Sequence, residues 1–291
     1  MRPKIGLVLG GGGIRGLAHI GVLEILEREH IPIDYIVGTS MGAIVGAAFA
    51  LGSSSQQIAG YMERVGSSNL LGGLNMFSSR SRQKAIEEHL RLAMGHQTFA
   101  DLHIPMTVMA VDMQTGEEVQ LTQGELVPAI LASAAVPAVF PPVEINGRQL
   151  ADGGVIDSLA TQPAYAMGAD RVIAVDVYPA LEMENIWKDP ISAVMGFQIP
   201  FNLLGNDRNP GVVSSLWRSF RIMVWYTHQM RLQQCKPDLL LRPPVDSYGS
   251  LDFKDTKGPI EAGRKTAEAH LDEIKALLVG GARAEDQAHP R

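Results

Sequence analysis

The chain has 291 residues, 46% of them hydrophobic, and a formal net charge of -6. That length and apolar content fit one large α/β domain better than two independent ones. The charge balance, with no long basic run, argues against nucleic acid as a partner and against strong attraction to anionic lipid, so any contact with a membrane surface must be apolar. Cys235 is the only cysteine, which excludes an internal disulfide and a cysteine metal cluster and suits a reducing compartment. No stretch of about 18 apolar residues lacks a charge or a break, and the apolar run from Ile5 to Leu9 is too short for a signal peptide. The expectation is a cytoplasmic protein.

Lys4 to Leu9 reads as a strand that runs into Gly10-Gly11-Gly12-Gly13-Ile14-Arg15-Gly16 and then into a helix from Leu17 to Glu29. On that helix Leu17, Ile20, Val22, Leu23, Ile25 and Leu26 cover a wide apolar face and Glu24, Glu27 and Arg28 a polar stripe, so it packs on a sheet and is mostly buried. Gly11, Gly13 and Gly16 also fit the GxGxxG fingerprint of a dinucleotide turn. The second strand of such a fold should end in an acidic residue for the ribose, whereas here it ends in Gly38-Thr39-Ser40, which argues against NAD or FAD. Glycine N–H groups at a helix start can equally cradle the oxyanion of a tetrahedral intermediate.

Ile33, Tyr35, Ile36 and Val37 form a short strand, and Ala43 to Leu51 a compact apolar helix that ends at Gly52. Between them Gly38-Thr39-Ser40-Met41-Gly42 is a GxSxG run in the strand-turn-helix setting of a nucleophile elbow. The turn is tight enough that Gly38 and Gly42 must lack side chains, and it holds Ser40 exposed on a strained backbone. A helix starts after Ser53-Ser54-Ser55, and 68–81 is a polar loop with apolar Leu70, Leu71, Leu74, Met76 and Phe77, which either line the entrance for an acyl chain or pack under the next helix. That helix runs from Arg82 to Met94 and stops at Gly95. Pro105 to Met113 and Glu117 to Leu121 make a hairpin, and Leu126 to Ala135 a further apolar helix. Val136 to Pro142 is a proline-stiffened loop, and Asn146-Gly147 signals a type I′ turn that delivers the chain to Asp152-Gly153-Gly154. An aspartate before two glycines is on its own a turn former.

After the strand Arg171 to Val177 the pattern loses regularity. The segment 178–235 is apolar and aromatic, and ends in a helix from Val212 to Gln234 with Val213, Leu216, Phe220, Met223, Val224 and Met230 near one stripe. It reads first as core or as a contact between copies of the chain, ahead of a lid or a membrane-resting surface. Asp238 to Leu241 is a strand, Ile260 to Leu278 a final amphipathic helix, and 280–291 a disordered tail to a domain spanning 1–279.

Three motifs in this order, Gly11-Gly12-Gly13-Ile14-Arg15-Gly16, Gly38-Thr39-Ser40-Met41-Gly42 and Asp152-Gly153-Gly154, make the chain resemble the patatin-like phospholipases, and within them the bacterial, neuropathy target esterase-like subgroup. The resemblance runs from about Ile5 to Val177. It implies a three-layer α/β/α sandwich around a mostly parallel sheet, and an esterase acting on acyl lipids with no metal or cofactor. It further implies a glycine-rich oxyanion loop and a Ser40-Asp152 dyad without histidine. A serine, aspartate and histidine triad would instead use His228 or His270, which follow Asp152 in the chain but sit in no motif. A carboxylate base with an ordinary low pKa would keep hydrolysis running at mildly acidic pH. The other reading is a regulatory or scaffold protein that keeps the fold and binds a partner through the apolar segment.

Overall fold

The computed structural model describes residues 2–67, 79–181, 211–249 and 255–279. The expectations for the apolar loop at 68–78, for 182–210 and for the tail at 280–291 lie outside these residues.

Eight strands form one sheet among the described residues: β1 (Ile5–Leu9), β2 (Tyr35–Thr39), β3 (Met106–Asp112), β4 (Glu118–Leu121), β5 (Val143–Ile145), β6 (Arg148–Asp152), β7 (Arg171–Val175) and β8 (Leu239–Leu241). The run β3-β2-β1-β7-β8 is parallel throughout, β4 and β6 pair antiparallel with β3, and β5 pairs antiparallel with β6. β1, β3 and β7 are almost wholly buried, as strands covered on both faces must be. Successive side chains of β1 enter different cores: Ile5, Leu7 and Leu9 pack with helix α1 (Ala18–Arg28), α2 (Met41–Ala50) and α5 (Leu126–Ser133), whereas Val8 packs with Ala164 of α6 (Thr161–Ala166). Helices therefore cover both faces, giving the three-layer α/β/α sandwich.

β3 determines where the ends of β2 and β6 lie. A strand has two edges, and Val108 and Met109 pair with both β2 and β4, while Ala110 and Val111 pair with both β4 and β6. So β4 occupies one edge of β3, and β2 and β6 share the other, end to end. Thr39 lies opposite Met109 and Asp152 opposite the next residue, Ala110. The C-terminal ends of β2 and β6 thus meet on one strand edge.

The sequence expectations for the two hairpins hold: β3 pairs with β4, and Asn146 and Gly147 between β5 and β6 both have positive φ (52° and 76°) as a type I′ turn requires. Helix α3 (Ser55–Ser67) starts at the serine run. Some boundaries move. Helix α4 (Ser79–Met94) begins three residues before Arg82, whose buried guanidinium donates to the Val139 carbonyl (3.1 Å) in the proline-stiffened loop. The final amphipathic stretch is two helices, α8 (Lys257–Ala269) and α9 (Leu271–Ala276), because the chain leaves helical geometry at His270, whose Nδ1 binds the Thr266 carbonyl. Helix α7 (Val212–Gln234) departs most from expectation: of its apolar stripe only Val224 is buried, while Leu216, Met223 and Met230 join Val212 and Tyr226 as an exposed face. Those residues are not core, since they stand on the side of the helix away from Val224 and His228, which are buried. No helix among the described residues is long and apolar enough to cross a membrane.

Candidate active site

β1 and β2 are neighbours with Leu9 opposite Gly38, so the glycine turn after β1 and the serine turn after β2 leave the sheet side by side. Between β2 and α2 the chain reverses at Ser40, which takes φ 53° and ψ −120°. A side chain in that region costs about 1–2 kcal/mol, and the contacts around it must hold the strain. Gly42 shows why the elbow tolerates nothing larger: a Cβ there would lie 2.0 Å from the Leu9 carbonyl oxygen, because α2 starts directly against β1. Gly38 is closed in the same way by the backbone of Gly42 and Ala43. The Ser40 N–H is held by Ser133 Oγ at 2.8 Å, at the last turn of α5. The expectation of an exposed serine is corrected: Ser40 is 8% exposed, tucked under Gly11 and against Asp152.

Asp152 ends β6 at the point where β2 gives way to Ser40, and its carboxylate accepts a hydrogen bond from the Gly154 N–H (2.7 Å) beside the Ser40 side chain. It is 6% exposed. Burial pushes its carboxyl up to about 6, and the Gly154 N–H and the neighbouring Ser40 side chain only partly oppose that. This overturns the expectation of an ordinary low carboxylate pKa, because the sequence does not show that the DGG turn lies beneath other chain. Gly153 packs directly on the backbone of Met109 and Ala110, which brings Asp152 close to β3.

The glycine turn contributes backbone donors unequally. Gly10 N–H donates to the Val175 carbonyl (3.1 Å) and Gly11 N–H to the Ser158 carbonyl (2.9 Å), so both are committed to the scaffold. Gly12 and Gly13 donate to no acceptor among the described residues, and Gly13 has φ 60°. These two N–H groups open the 3-10 turn Gly13–Leu17, where the helical dipole favours negative charge. The other motif residues serve as frame. Ile14 is buried in the main core, Gly16 packs against Met41, and the Arg15 guanidinium donates to the Tyr248 carbonyl (2.6 Å). Thr39 and Met41, flanking the serine, are buried.

Among the described residues the histidine hydrogen bonds go elsewhere. His270 binds within its own helix, and His19, fully buried in α1, donates from Nε2 to the Gly10 carbonyl (2.7 Å). Burial lowers His19 to about 4, so it is neutral there. His228 binds Ser158 and Asp176. Sequence reasoning missed Ser133, His19 and the Ser158-His228-Asp176 chain: each is a single polar residue in an apolar or unmarked context, with its partner distant in sequence. No cluster of His, Cys, Asp and Glu among the described residues could hold a metal ion.

A serine beside a buried carboxylate and two uncommitted N–H groups at a helix start can perform nucleophilic attack on a carbonyl with the negative charge received by the backbone. Comparison with known proteins shows the following likenesses. A sequence profile described as patatin-like phospholipase matches residues 7–165. An uncharacterized NTE family protein of Mycobacterium tuberculosis is 38% identical over 178 residues, 60% of this chain and 49% of that one. Lysophospholipase NTE1 of Pyricularia oryzae is 27% identical over 280 residues, 94% of this chain but 19% of the fungal protein. The chain thus spans about half or less of the length of these relatives. Among solved structures, VipD from Legionella pneumophila superposes with a TM-score of 0.51 at 12% identity, covering 95% of this chain and 66% of that one, a likeness of fold.

Proposed function

Because this chain belongs to the patatin-like phospholipase family, we propose that it is a serine lipid acyl hydrolase, of phospholipase A or lysophospholipase type, in which Ser40 is the nucleophile and Asp152 the base. The observation that carries the reading is the pairing of a serine at φ 53° with a buried carboxylate raised to about 6, which near neutral pH is ionised yet basic enough to take a proton. Ser40 Oγ attacks the ester carbonyl as its proton passes to Asp152, and the oxyanion of the tetrahedral intermediate is received by the Gly12 and Gly13 N–H groups. Collapse expels the alcohol, the lysolipid or glycerol part, which takes the proton back from Asp152. Water, deprotonated by the same carboxylate, then releases the fatty acid from the acyl-serine.

The relative named as a lysophospholipase supports a lipid ester as substrate, and the exposed apolar face of α7 supports peripheral contact with a lipid surface, in keeping with the acidic net charge. The test is fatty-acid release from phospholipid, lysophospholipid and neutral lipid by the purified chain and by Ser40→Ala. The variant should lose at least about 10³-fold in kcat with an unchanged melting curve, since it removes one oxygen and leaves the Ser133 bond to the backbone in place. Equal release by the variant, with contaminating esterase excluded, would refute the assignment.

A further inference from the structure

We infer that His228 of α7 is a positioning residue for this hydrolysis: it fixes Ser158 and, through the Ser158 carbonyl, the place at which Gly12 and Gly13 present their N–H groups to the oxyanion. The inference rests on the reading of Ser40 as nucleophile and of the glycine turn as its oxyanion site.

The His228 ring is 2% exposed and bonded at both nitrogens, Nδ1 to Ser158 Oγ at 2.8 Å and Nε2 to Asp176 Oδ2 at 3.2 Å. Asp176, just beyond β7, also accepts from Arg242 Nε (3.1 Å) and from the Tyr178 N–H (3.1 Å). Burial works to raise its carboxyl, but the His228 hydrogen bond and these partners hold it below the usual range, so it is an acceptor. Nε2 of His228 is then the donor to Asp176, and Nδ1 shares the other hydrogen bond with the Ser158 hydroxyl. Tyr178 lies against the ring face, with centroids 5.1 Å apart.

This chain of serine, histidine and aspartate has the composition of a hydrolytic triad, yet Ser158 is 2% exposed, its hydroxyl committed to His228. Its reach is through the backbone. The Ser158 carbonyl accepts the Gly11 N–H at 2.9 Å, directly before the two uncommitted donors. At its other end the same loop gives the Gly154 N–H to Asp152, and Ile156 and Asp157 both bond back to the Gly153 carbonyl, so 153–158 is braced as one unit. α7 thus reaches both the oxyanion donors and the base through one imidazole. A histidine that merely filled core would need no partner on that loop, and its loss would affect melting alone.

The test uses the full chain, with steady-state kinetics on an ester substrate and a melting curve for each variant. His228→Ala and Ser158→Ala should each lower kcat by about 10- to 100-fold, the scale of a misplaced oxyanion donor, with KM changed less than about twofold. Because the two act through one bond, the double variant should be no slower than the slower single one. His228→Asn, which keeps a hydrogen-bonding group near the Nδ1 position, should recover kcat to within about threefold, whereas His228→Gln, which reaches only toward Asp176, should not. Ser158→Ala removes one buried oxygen and no ring, so it carries the test if His228→Ala fails to fold. Unchanged kcat in a folded Ser158→Ala or His228→Ala, effects that multiply in the double variant, or a loss confined to KM would each overturn the positioning role. Absence of Ser40-dependent turnover in the wild type would overturn it together with the reading it rests on, and a folded His228→Ala as active as wild type would overturn it alone.

Discussion

Asp152→Asn should silence the enzyme and at the same time make the fold more stable than the wild type as pH rises. The folded chain holds the Asp152 proton up to about pH 6, against an ordinary value of 3.8 for an exposed aspartate, because the carboxyl is buried. Between those values the folded state binds more protons than the unfolded one, so the stability attributable to this group is complete below pH 4 and is lost as pH rises through 6. The loss reaches about 3 kcal/mol above pH 8, measured from the acid limit, and about 1.4 kcal/mol of it falls between pH 5 and pH 8. Asparagine cannot ionise, and its amide oxygen can still accept the Gly154 N–H that Asp152 holds at 2.7 Å. The variant should therefore gain on the wild type by about 1.4 kcal/mol between pH 5 and pH 8, a few degrees in Tm for a chain of this size. Urea denaturation of both proteins at pH 5, 6.5 and 8 measures the gap. A gap that stays constant, or closes as pH rises, would refute the claim that burial sets this carboxyl high.

The oxyanion donors and the base each give a kinetic prediction. Gly12→Val should lower kcat by about 10²- to 10³-fold with little change in KM, because a Cβ there would lie 2.8 Å from Val177 Cγ2 and 3.0 Å from its carbonyl oxygen and would displace the donors at Gly12 and Gly13; a rise in KM at constant kcat would count against their role. Ester hydrolysis should fall away below about pH 6, where Asp152 takes up a proton, and a pH profile still flat at pH 5 would show that another group is the base.

Much of the site was legible because its parts are local. β1 with its glycines, β2 with its GxSxG turn, and the Asn146-Gly147 hairpin each specify their own backbone, through β-branched residues, tight turns and positive φ. What was not legible depends on contacts between distant residues. Ser133 meets Ser40 across 93 residues, Ser158 meets His228 across 70, and His228 meets Asp176 across 52, and no periodicity marks any of them. The high Asp152 pKa and the burial of Ser40 have the same origin, since both arise from β2 and β6 sharing one edge of β3. The amphipathic pattern at 260–278 continues through the break at His270, so spacing alone could not show two helices. In α7 the apolar spacing correctly gave a helix, but it could not tell a buried stripe from the exposed one that is found.

The central claim, that Asp152 activates Ser40, is tested most directly by a fluorophosphonate probe with the adduct located by peptide mass mapping across pH. The account predicts a single adduct on Ser40, formed at a rate that climbs through about pH 6 in the wild type and falls by orders of magnitude in Asp152→Asn. An adduct on another serine, or labelling of Ser40 at the same rate in Asp152→Asn, would contradict it.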